Sequence, residues 1–327
     1  MAASLSSHRS AESPPVYISV LNWNKADNTI RCLESLAQLD YPNYHVLVVD
    51  NASFDDSVER IRAAFPDIEI LCSSENLGYA AGNLLALERA QQAGAELFWI
   101  LNNDTIVEAD SLTALVEAYQ HHGPGLYGSV PLDLEKGTVG MSAWAIGSGN
   151  MPMYHQEQAV RWGASFAESF PNMSERLVAN VSGSSILIPL GVVAAHGFMD
   201  LSFFLYGEDV DFCFRLLKRG IPSYVVPRSV IKHTVRGSSS DNEWLLSAIY
   251  YYKVRNTLLV IRRYRGIRAL VDHAARLVLH HLRRQRKMSI SQRRIVLTSP
   301  NQRYVWRAIL DAFIGRTGKT IAPEDFA

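Results

Sequence analysis

HVLVVDNAS, residues 45–53, decides the reading of the fold. Val46 to Val49 are continuously apolar, and Asp50-Asn51-Ala52-Ser53 then turns polar. An unbroken apolar run of this length reads as a strand covered on both faces, the habit of a parallel sheet under helices. Working outward, VYISVL (16–21) reads as the strand before it. Between them, residues 26–39 carry Ile30, Leu33, Leu36 and Ala37 at helical spacing, broken by Tyr41-Pro42-Asn43. Beyond Asp50 the pattern predicts a helix over 55–65, with Ser53 as its cap and Pro66 closing it. A strand over 68–71, a helix over 79–93 ended by Gly94, a strand over 97–101 and a helix over 110–121 stopped by Gly123-Pro124-Gly125 follow. Four alternations with short connections predict a parallel sheet with right-handed crossovers.

Residues 126–180 lose this rhythm and read as hairpins and loops, rich in Gly, Ser, Met and Trp. Strand character returns at 184–188. A helix is predicted over 210–219 and a strand over 223–226, closed by Pro227. From Asn242 the chain reads as long helices, 244–263 and 267–286 joined at Gly266, then a shorter one over 301–313. The expected organisation is a disordered lead over 1–15, an α/β domain over 16–240 with halves at 16–125 and 126–240, and a basic helical extension over 241–327.

The composition, 48% hydrophobic and 20% charged over 327 residues, is that of a globular protein. Cys32, Cys72 and Cys213 are too few and scattered for a disulfide framework or zinc ribbon, and read as buried thiols in a reducing compartment. Residues 1–15 lack the apolar core of a secretory signal. The longest apolar stretch, 177–198, is interrupted by Gly183, Pro189 and Gly191 and does not read as a membrane span. The net charge of zero hides a division. Residues 253–294 hold 13 Lys/Arg and one acid, Asp272, whereas residues 1–252 hold 15 Lys/Arg and 28 Asp/Glu. Such a tail points to an anionic partner. Nucleic acid is not expected to be that partner.

Acidic groups sit where apolar runs break. Asn102-Asn103-Asp104 follows Leu97 to Leu101, and Gly207-Glu208-Asp209 follows Phe203 to Tyr206. Ligands of open α/β sheets bind outside the carboxyl ends of the strands. A single carboxylate such as Asp104 suits a metal whose other ligands are phosphate oxygens; the bland reading is a polar turn. Glu208, Asp209 and Asp211 precede a helix, as ordinary N-terminal acids do. The functional reading is a general base beside the metal, with Asp211 facing solvent or capping. Asp50 ends its strand where a carboxylate can accept from a base N–H or a ribose hydroxyl, or form a capping turn with Asn51 and Ser53. Asn76-Leu77-Gly78-Tyr79 opens a helix, where glycine lets backbone approach a phosphate. The spacing fits neither a dinucleotide fingerprint nor a Walker loop. His233, after the last strand, is either structural or a further metal ligand.

In order along the chain, Val20-Leu21-Asn22-Trp23-Asn24, Asp50-Asn51-Ala52-Ser53, Asn76-Leu77-Gly78-Tyr79, Asn102-Asn103-Asp104, Phe204 to Asp211 and His233 resemble the motifs of the family 2 inverting glycosyltransferases. The resemblance spans about residues 16–236. It looks most like the bacterial rhamnosyltransferases of cell-surface polysaccharide assembly. It implies a GT-A fold, a mostly parallel Rossmann-like sheet flanked by helices, with the helical C-terminal extension added. It implies that Leu21, Asn22, Asp50, Asn51, Asn76, Gly78 and Asn103 line the nucleotide pocket. Asp104 would hold Mg²⁺ or Mn²⁺ on the diphosphate, with His233 as a further ligand. Asp209 would be the base of a single in-line displacement, with Glu208 orienting acceptor or base. The chain departs from the D-x-D pattern at Asn102, and carries Ala81 where relatives often have Gly.

The donor implied is a nucleoside diphosphate sugar, first dTDP-rhamnose and second a UDP-hexose. The acceptor is a glycan or a lipid-linked glycan, selected by residues 139–180, with Trp144 a candidate contact, and by the start of the tail. Arg255 and Asn256 are candidate contacts to donor or acceptor, or else belong to a helix that packs its tyrosines on the body. A sugar-phosphate nucleotidyltransferase would favour a Gly- and Lys/Arg-rich loop where Asn22-Trp23-Asn24-Lys25 stands. A non-catalytic relative would not need both Asp104 and Asp209. Residues 257–288 interleave apolar and basic residues, as helices lying in a membrane interface do. That predicts a cytoplasmic enzyme, peripheral at the inner membrane face. The alternative is an apolar stripe that packs on the catalytic domain or forms a homodimer.

Overall fold

The computed structural model describes residues 13–133, 136–141, 143–144, 158–233, 243–286 and 300–322. The chain divides into two compact units, one of Met1–Met199 with Asp209–Ser238, the other of Asp200–Glu208 with Ser239–Ala327.

The first unit is built on β1 (Val16–Asn22), β2 (Tyr44–Asp50), β3 (Glu69–Cys72), β4 (Leu97–Asn102), β5 (Thr105–Val107), β6 (Leu126–Asp133), β7 (Thr138–Val139), β8 (Ala143–Trp144), β9 (Gln158–Val160), β10 (Arg176–Val178), β11 (Ser185–Pro189) and β12 (Ser223–His233). Its helices are α1 (Ala26–Leu36), α2 (Ser57–Ala64), α3 (Gly78–Gln92), α4 (Ser111–His122), α5 (Phe166–Ser169), α6 (Leu190–His196) and α7 (Glu208–Leu217), of which Glu208 alone belongs to the second unit. The main sheet runs β10-β12-β6-β11-β4-β1-β2-β3, with β5 on β12 and β7 on β6. β4, β1, β2 and β3 are parallel, as the alternation predicts. β11 is antiparallel to both β4 and β6, which makes the sheet mixed.

The apolar run of β2 is covered on both faces. Leu47 and Val49 pack with Phe98, Ile100, Ile186 and Ile188 in one core. Val46 and Val48 pack with Ile18, Val20, Trp99 and Leu101 in the other. Trp99 also donates its indole N–H to Ser185 Oγ at 2.8 Å, which satisfies a polar atom inside the sheet.

Several expectations need correction. The first helix stops at Leu36, where Gln38 and Leu39 close onto Ser35 and Leu36 in a tighter turn and Asp40 N–H goes to Ala109 O. The antiparallel pairs β6–β7 and β8–β9 agree with the hairpins expected over 126–180, but β6 is also an eight-residue strand of the main sheet. Its apolar run is disguised by Gly128, where a Cβ would lie 2.6 Å from that of Val181. Pro227 does not end a strand, since β12 continues to His233 across a register shift between Val226 and Val230, where a proline is tolerated. Ser53 does not cap α2, which starts at Ser57 behind Asp56. Cys72, on the edge strand, is exposed, while Cys32 and Cys213 are buried. Asp211 is fully buried rather than facing solvent.

The second unit consists of residues 200–208 with α8 (Glu243–Arg286) and α9 (Pro300–Ile314). α8 is broken at Gly266, whose φ of 79° falls in the left-handed region that glycine adopts without strain. Tyr251, Tyr252, Leu258 and Ala308 are fully buried in this unit.

Candidate active site

Parallel register sets the motif residues along one edge of the first unit's sheet. Asn22 lies beside Asp50, and Leu21 beside Asn102. The Asp50 carboxylate accepts from Asn22 Nδ2 at 2.8 Å, from Ser53 Oγ at 2.5 Å and from Ser53 N–H at 3.0 Å. Ser53 Oγ in turn accepts from Asn24 N–H at 2.7 Å. Asn22 Oδ1 accepts from Thr29 Oγ1 at 2.6 Å, and Asn103 Nδ2 donates to Thr29 Oγ1 at 3.0 Å. Asn22, Asp50, Thr29 and Asn103 therefore form one polar lattice. Phe54, 60% exposed, meets the Trp23 ring edge-on beside it. That apolar face next to polar groups suits a planar ligand ring.

Asn51 extends the lattice to α3. Its side chain donates to Asn76 Oδ1 and Gly78 O, both at 3.1 Å, and accepts from Leu77 N–H at 2.9 Å. A Cβ at Gly82 would fall 2.7 Å from a Leu21 methyl, so glycine there lets α3 pack close to β1. The described non-glycine residues with left-handed φ are Asn24, Lys25, Ala52, Met173 and Tyr206. Asn24, Ala52 and Tyr206 are themselves motif residues, and Lys25 adjoins one. Strained backbone persists where surrounding structure over-determines it, often at functional sites.

The backbone of Asn102 and the carboxylate of Asp209 both bond to a turn over residues 183–184. Asn102 N–H donates to Ser184 O at 3.0 Å. One residue earlier, Gly183 N–H donates to Asp209 Oδ2 at 2.9 Å, and Val210 N–H donates to Asp209 Oδ1 at 2.8 Å. Tyr79 OH donates to Gly183 O. The signal available in the sequence was the small-residue run Ser182-Gly183-Ser184-Ser185 at the start of a strand.

Asp104 is buried in the turn from β4 to β5. β5 pairs with β12 so that Thr105 lies opposite His233, which brings the His233 backbone beside the residue after Asp104. The side chains of His233 and Trp144 lie outside the described part of the structure. Among the described residues, no group of three or more His, Cys, Asp or Glu could hold a metal by itself. A lone buried carboxylate at a strand end fits a hard cation carried in by phosphate oxygens, and does not fit an all-protein cage.

In the second unit, Asn256 Nδ2 donates to Leu205 O at 2.8 Å and Tyr206 O at 2.7 Å. It holds the turn in which Tyr206 (φ 64°) and Gly207 (φ 90°) are both left-handed, just before Glu208. Arg255 is fully buried. It donates to Asn256 Oδ1 at 2.8 Å and to Gly318 O and Thr320 Oγ1 at 2.9 Å, and its guanidinium lies 4.9 Å from the Tyr252 ring centroid. These contacts all lie within the helical unit. Burial pushes the Cys32 and Cys213 thiols up to about 12, so neither supplies a thiolate nucleophile at neutral pH.

The profile of glycosyl transferase family 2 matches residues 17–176. The chain is 30% identical over 220 residues to the N-acetylglucosaminyl-diphospho-decaprenol L-rhamnosyltransferase of Mycobacterium tuberculosis, covering 62% of this chain and 70% of that one. It is 20% identical over 254 residues to the dTDP-rhamnosyl transferase RfbF of Shigella flexneri, covering 76% and 80%. In structure it is similar to a mannosyltransferase of Pyrobaculum calidifontis solved with GDP-Man and Mn²⁺, at a TM-score of 0.55 and 15% identity over 94% of this chain and 89% of that one. It is also similar to GalNAc-T7 solved with UDP, GalNAc and Mn²⁺, at a TM-score of 0.55 and 12% identity over 78% of this chain; the match spans 49% of the length of that protein. The fold is that of the GT-A glycosyltransferases. The chain belongs to glycosyltransferase family 2, and it is a glycosyltransferase.

Proposed function

We propose that the enzyme transfers L-rhamnose from dTDP-rhamnose to a glycan or lipid-linked acceptor in cell-surface polysaccharide assembly, with inversion at the anomeric carbon. Asp209 is the base, Glu208 orients it or the acceptor, and Asp104, with His233, belongs to the diphosphate end of the site. The observation that carries this reading is the turn at 183–184, which bonds Asn102 on one side and Asp209 on the other. The Asp209 carboxylate and the backbone two residues before Asp104 thereby bond to the same turn. The relative from Mycobacterium is named for L-rhamnosyl transfer to N-acetylglucosaminyl-diphospho-decaprenol, and that from Shigella for dTDP-rhamnose. Both support the choice of sugar.

In this reading the nucleotide lies on the lattice of Asn22, Asp50, Asn51 and Asn103, with Leu21 beneath it and the phosphates toward Asn76 and Gly78 at the start of α3. The acceptor oxygen bonds to the anomeric carbon, the bond from that carbon to the diphosphate oxygen breaks, and the hydroxyl proton passes to Asp209. A bound Mg²⁺ or Mn²⁺ would offset the charge that develops on the nucleoside diphosphate. Asp209 faces this step already oriented by two backbone N–H groups. Residues 16–240 form the catalytic part and 241–327 the helical extension. Thermal-shift screening against dTDP-rhamnose, UDP-glucose and GDP-mannose, with and without Mn²⁺, tests the donor, because a ligand of the folded state raises its stability. The largest shift is expected with dTDP-rhamnose.

The helical extension also supports a reading as an anchor on anionic lipid. Leu258, Ile261, Leu270 and Ala274 of α8 are buried, so part of the apolar stripe packs internally. Ile267, Val271 and Leu279 of α8 and Trp306, Leu310 and Ile314 of α9 are exposed large apolar residues on a unit rich in arginine. Among the described residues no helix is long and apolar enough to cross a membrane. Exposed apolar residues, tryptophan among them, beside cations suit an interfacial seat.

A further inference from the structure

Gly183 is held on both sides of its Cα. Its carbonyl accepts from Tyr79 OH, and its N–H donates to Asp209 Oδ2 at 2.9 Å. Tyr79 stands in the first turn of α3, the helix whose start is bonded to Asn51 through Asn76, Leu77 and Gly78. Asn83 Nδ2 donates to Tyr79 O at 2.9 Å and fixes that first turn from within the helix. A line of contacts therefore runs from the end of β2, through α3 and the backbone of one glycine, to the carboxylate of Asp209.

We propose that Tyr79 and Gly183 are positioning residues of the transfer reaction, with the tyrosine hydroxyl holding the Gly183 carbonyl and thereby fixing the aim of the Gly183 N–H that orients Asp209. The inference rests on the reading of Asp209 as base.

Three physical points support it. First, glycine has the freest backbone of any residue, and a hydrogen bond to the Gly183 carbonyl restrains that backbone and with it the aim of the Gly183 N–H at Asp209. Second, an N–H aimed at a carboxylate favours the charged form, which is the form a base must have before it takes a proton. Third, the side-chain type at 183 is constrained by space. A Cβ there would stand 2.9 Å from Asp209 Oδ2 and 3.2 Å from its Cβ and Cγ. Any larger residue pushes the carboxylate off its donor. The tyrosine makes this contact across 104 residues of sequence, at a peptide with no side chain of its own to hold it.

The test separates this inference from the assignment of the base. The full chain is labelled with carboxyl-¹³C aspartate, and the Asp209 signal is identified as the one missing from Asp209→Asn. Its titration midpoint is then followed by NMR in wild type, Tyr79→Phe and Gly183→Ala. Tyr79→Phe removes one hydroxyl and keeps the ring, so the fold is retained. The midpoint of Asp209 should move up by roughly half a pH unit in Tyr79→Phe, because a less firmly aimed N–H favours the charged form less. It should move further in Gly183→Ala, while other aspartates stay in place. An unmoved midpoint in both variants overturns the positioning role, as does a shift shared by all aspartates. In parallel, turnover of Tyr79→Phe should fall roughly three- to ten-fold, the share of one hydrogen bond, with the donor KM unchanged. If Asp209→Asn keeps near-normal turnover, the base assignment fails and this inference with it. If Asp209→Asn is inactive and Tyr79→Phe is normal in both rate and midpoint, the base stands and only the positioning role is lost.

Discussion

Asn22 Nδ2 donates to Asp50 Oδ1 at 2.8 Å, joining the ends of two adjacent parallel strands through their last side chains. Both residues are buried, and the same carboxylate also takes the hydroxyl and the N–H of Ser53. The bond makes a single polar surface of what would otherwise be two separate turns. Asp50 therefore organises the polar ends of β1 and β2, where the proposed site receives its nucleotide.

Asp50→Ala leaves three donors without their acceptor in a buried setting. The expected cost is about 1–3 kcal/mol, which for a unit of this size lowers the melting temperature by roughly 3–10 °C. Donor affinity should fall as well, because Asn22 loses its restraint. Calorimetry with and without dTDP reads both effects. A normal melting temperature with lost dTDP binding would mean that Asp50 serves the ligand alone.

This lattice marks how far the sequence carries. The strands that deliver Asn22, Asp50 and Asn102 are legible because their apolar runs are continuous and their turns abrupt. Their parallel pairing follows from the helices between them. The turn at 182–185 is not legible in the same way. Serine and glycine there carry no periodicity, and their role lies in backbone groups, which a sequence pattern does not display. β6 is hidden for a related reason, since Gly128 and Pro131 interrupt its apolar run while the strand is fixed by its neighbours. The fate of Arg255 is also set by tertiary contacts, with Gly318 and Thr320 more than sixty positions away.

Asp104→Ala should abolish the Mn²⁺-dependent part of nucleotide binding while leaving the fold intact. The measurement is the thermal shift produced by dTDP with Mn²⁺, compared with that in EDTA. Wild type should show a larger shift with the metal, and the variant the same shift in both. A metal-dependent shift that survives in the variant would put the cation elsewhere.

Arg255→Ala removes a fully buried cation that binds backbone and side-chain acceptors of its own unit. Loss of these bonds and of the packed side chain should cost about 2–4 kcal/mol. The expected result is a lower melting temperature with donor and acceptor KM unchanged. A raised KM at an unchanged melting temperature would instead show that this arginine meets a substrate.

Binding to vesicles tests the helical extension. The full chain should sediment with vesicles of phosphatidylglycerol and not with phosphatidylcholine, and should be released by high salt, because each cation near an anionic surface adds about 1 kcal/mol. Trp306→Ser with Leu310→Ser should weaken that binding severalfold without altering turnover on a soluble acceptor. Equal binding by the doubly substituted chain would remove α9 from the proposed contact. No sedimentation of either protein, with a dimer in solution, would favour the apolar residues as an interface between copies.

In the proposed reaction Asp209 takes the proton of the incoming hydroxyl, and Asp209→Asn removes that capacity alone. Asparagine keeps the shape and can still accept the Gly183 N–H, but it cannot accept the proton. With the donor selected by thermal shift, the initial rate of transfer should fall roughly 10²- to 10⁴-fold, while the donor-induced thermal shift stays close to that of wild type. A fall of less than about tenfold, with binding intact, would contradict the claim and move the base to Glu208 or another group.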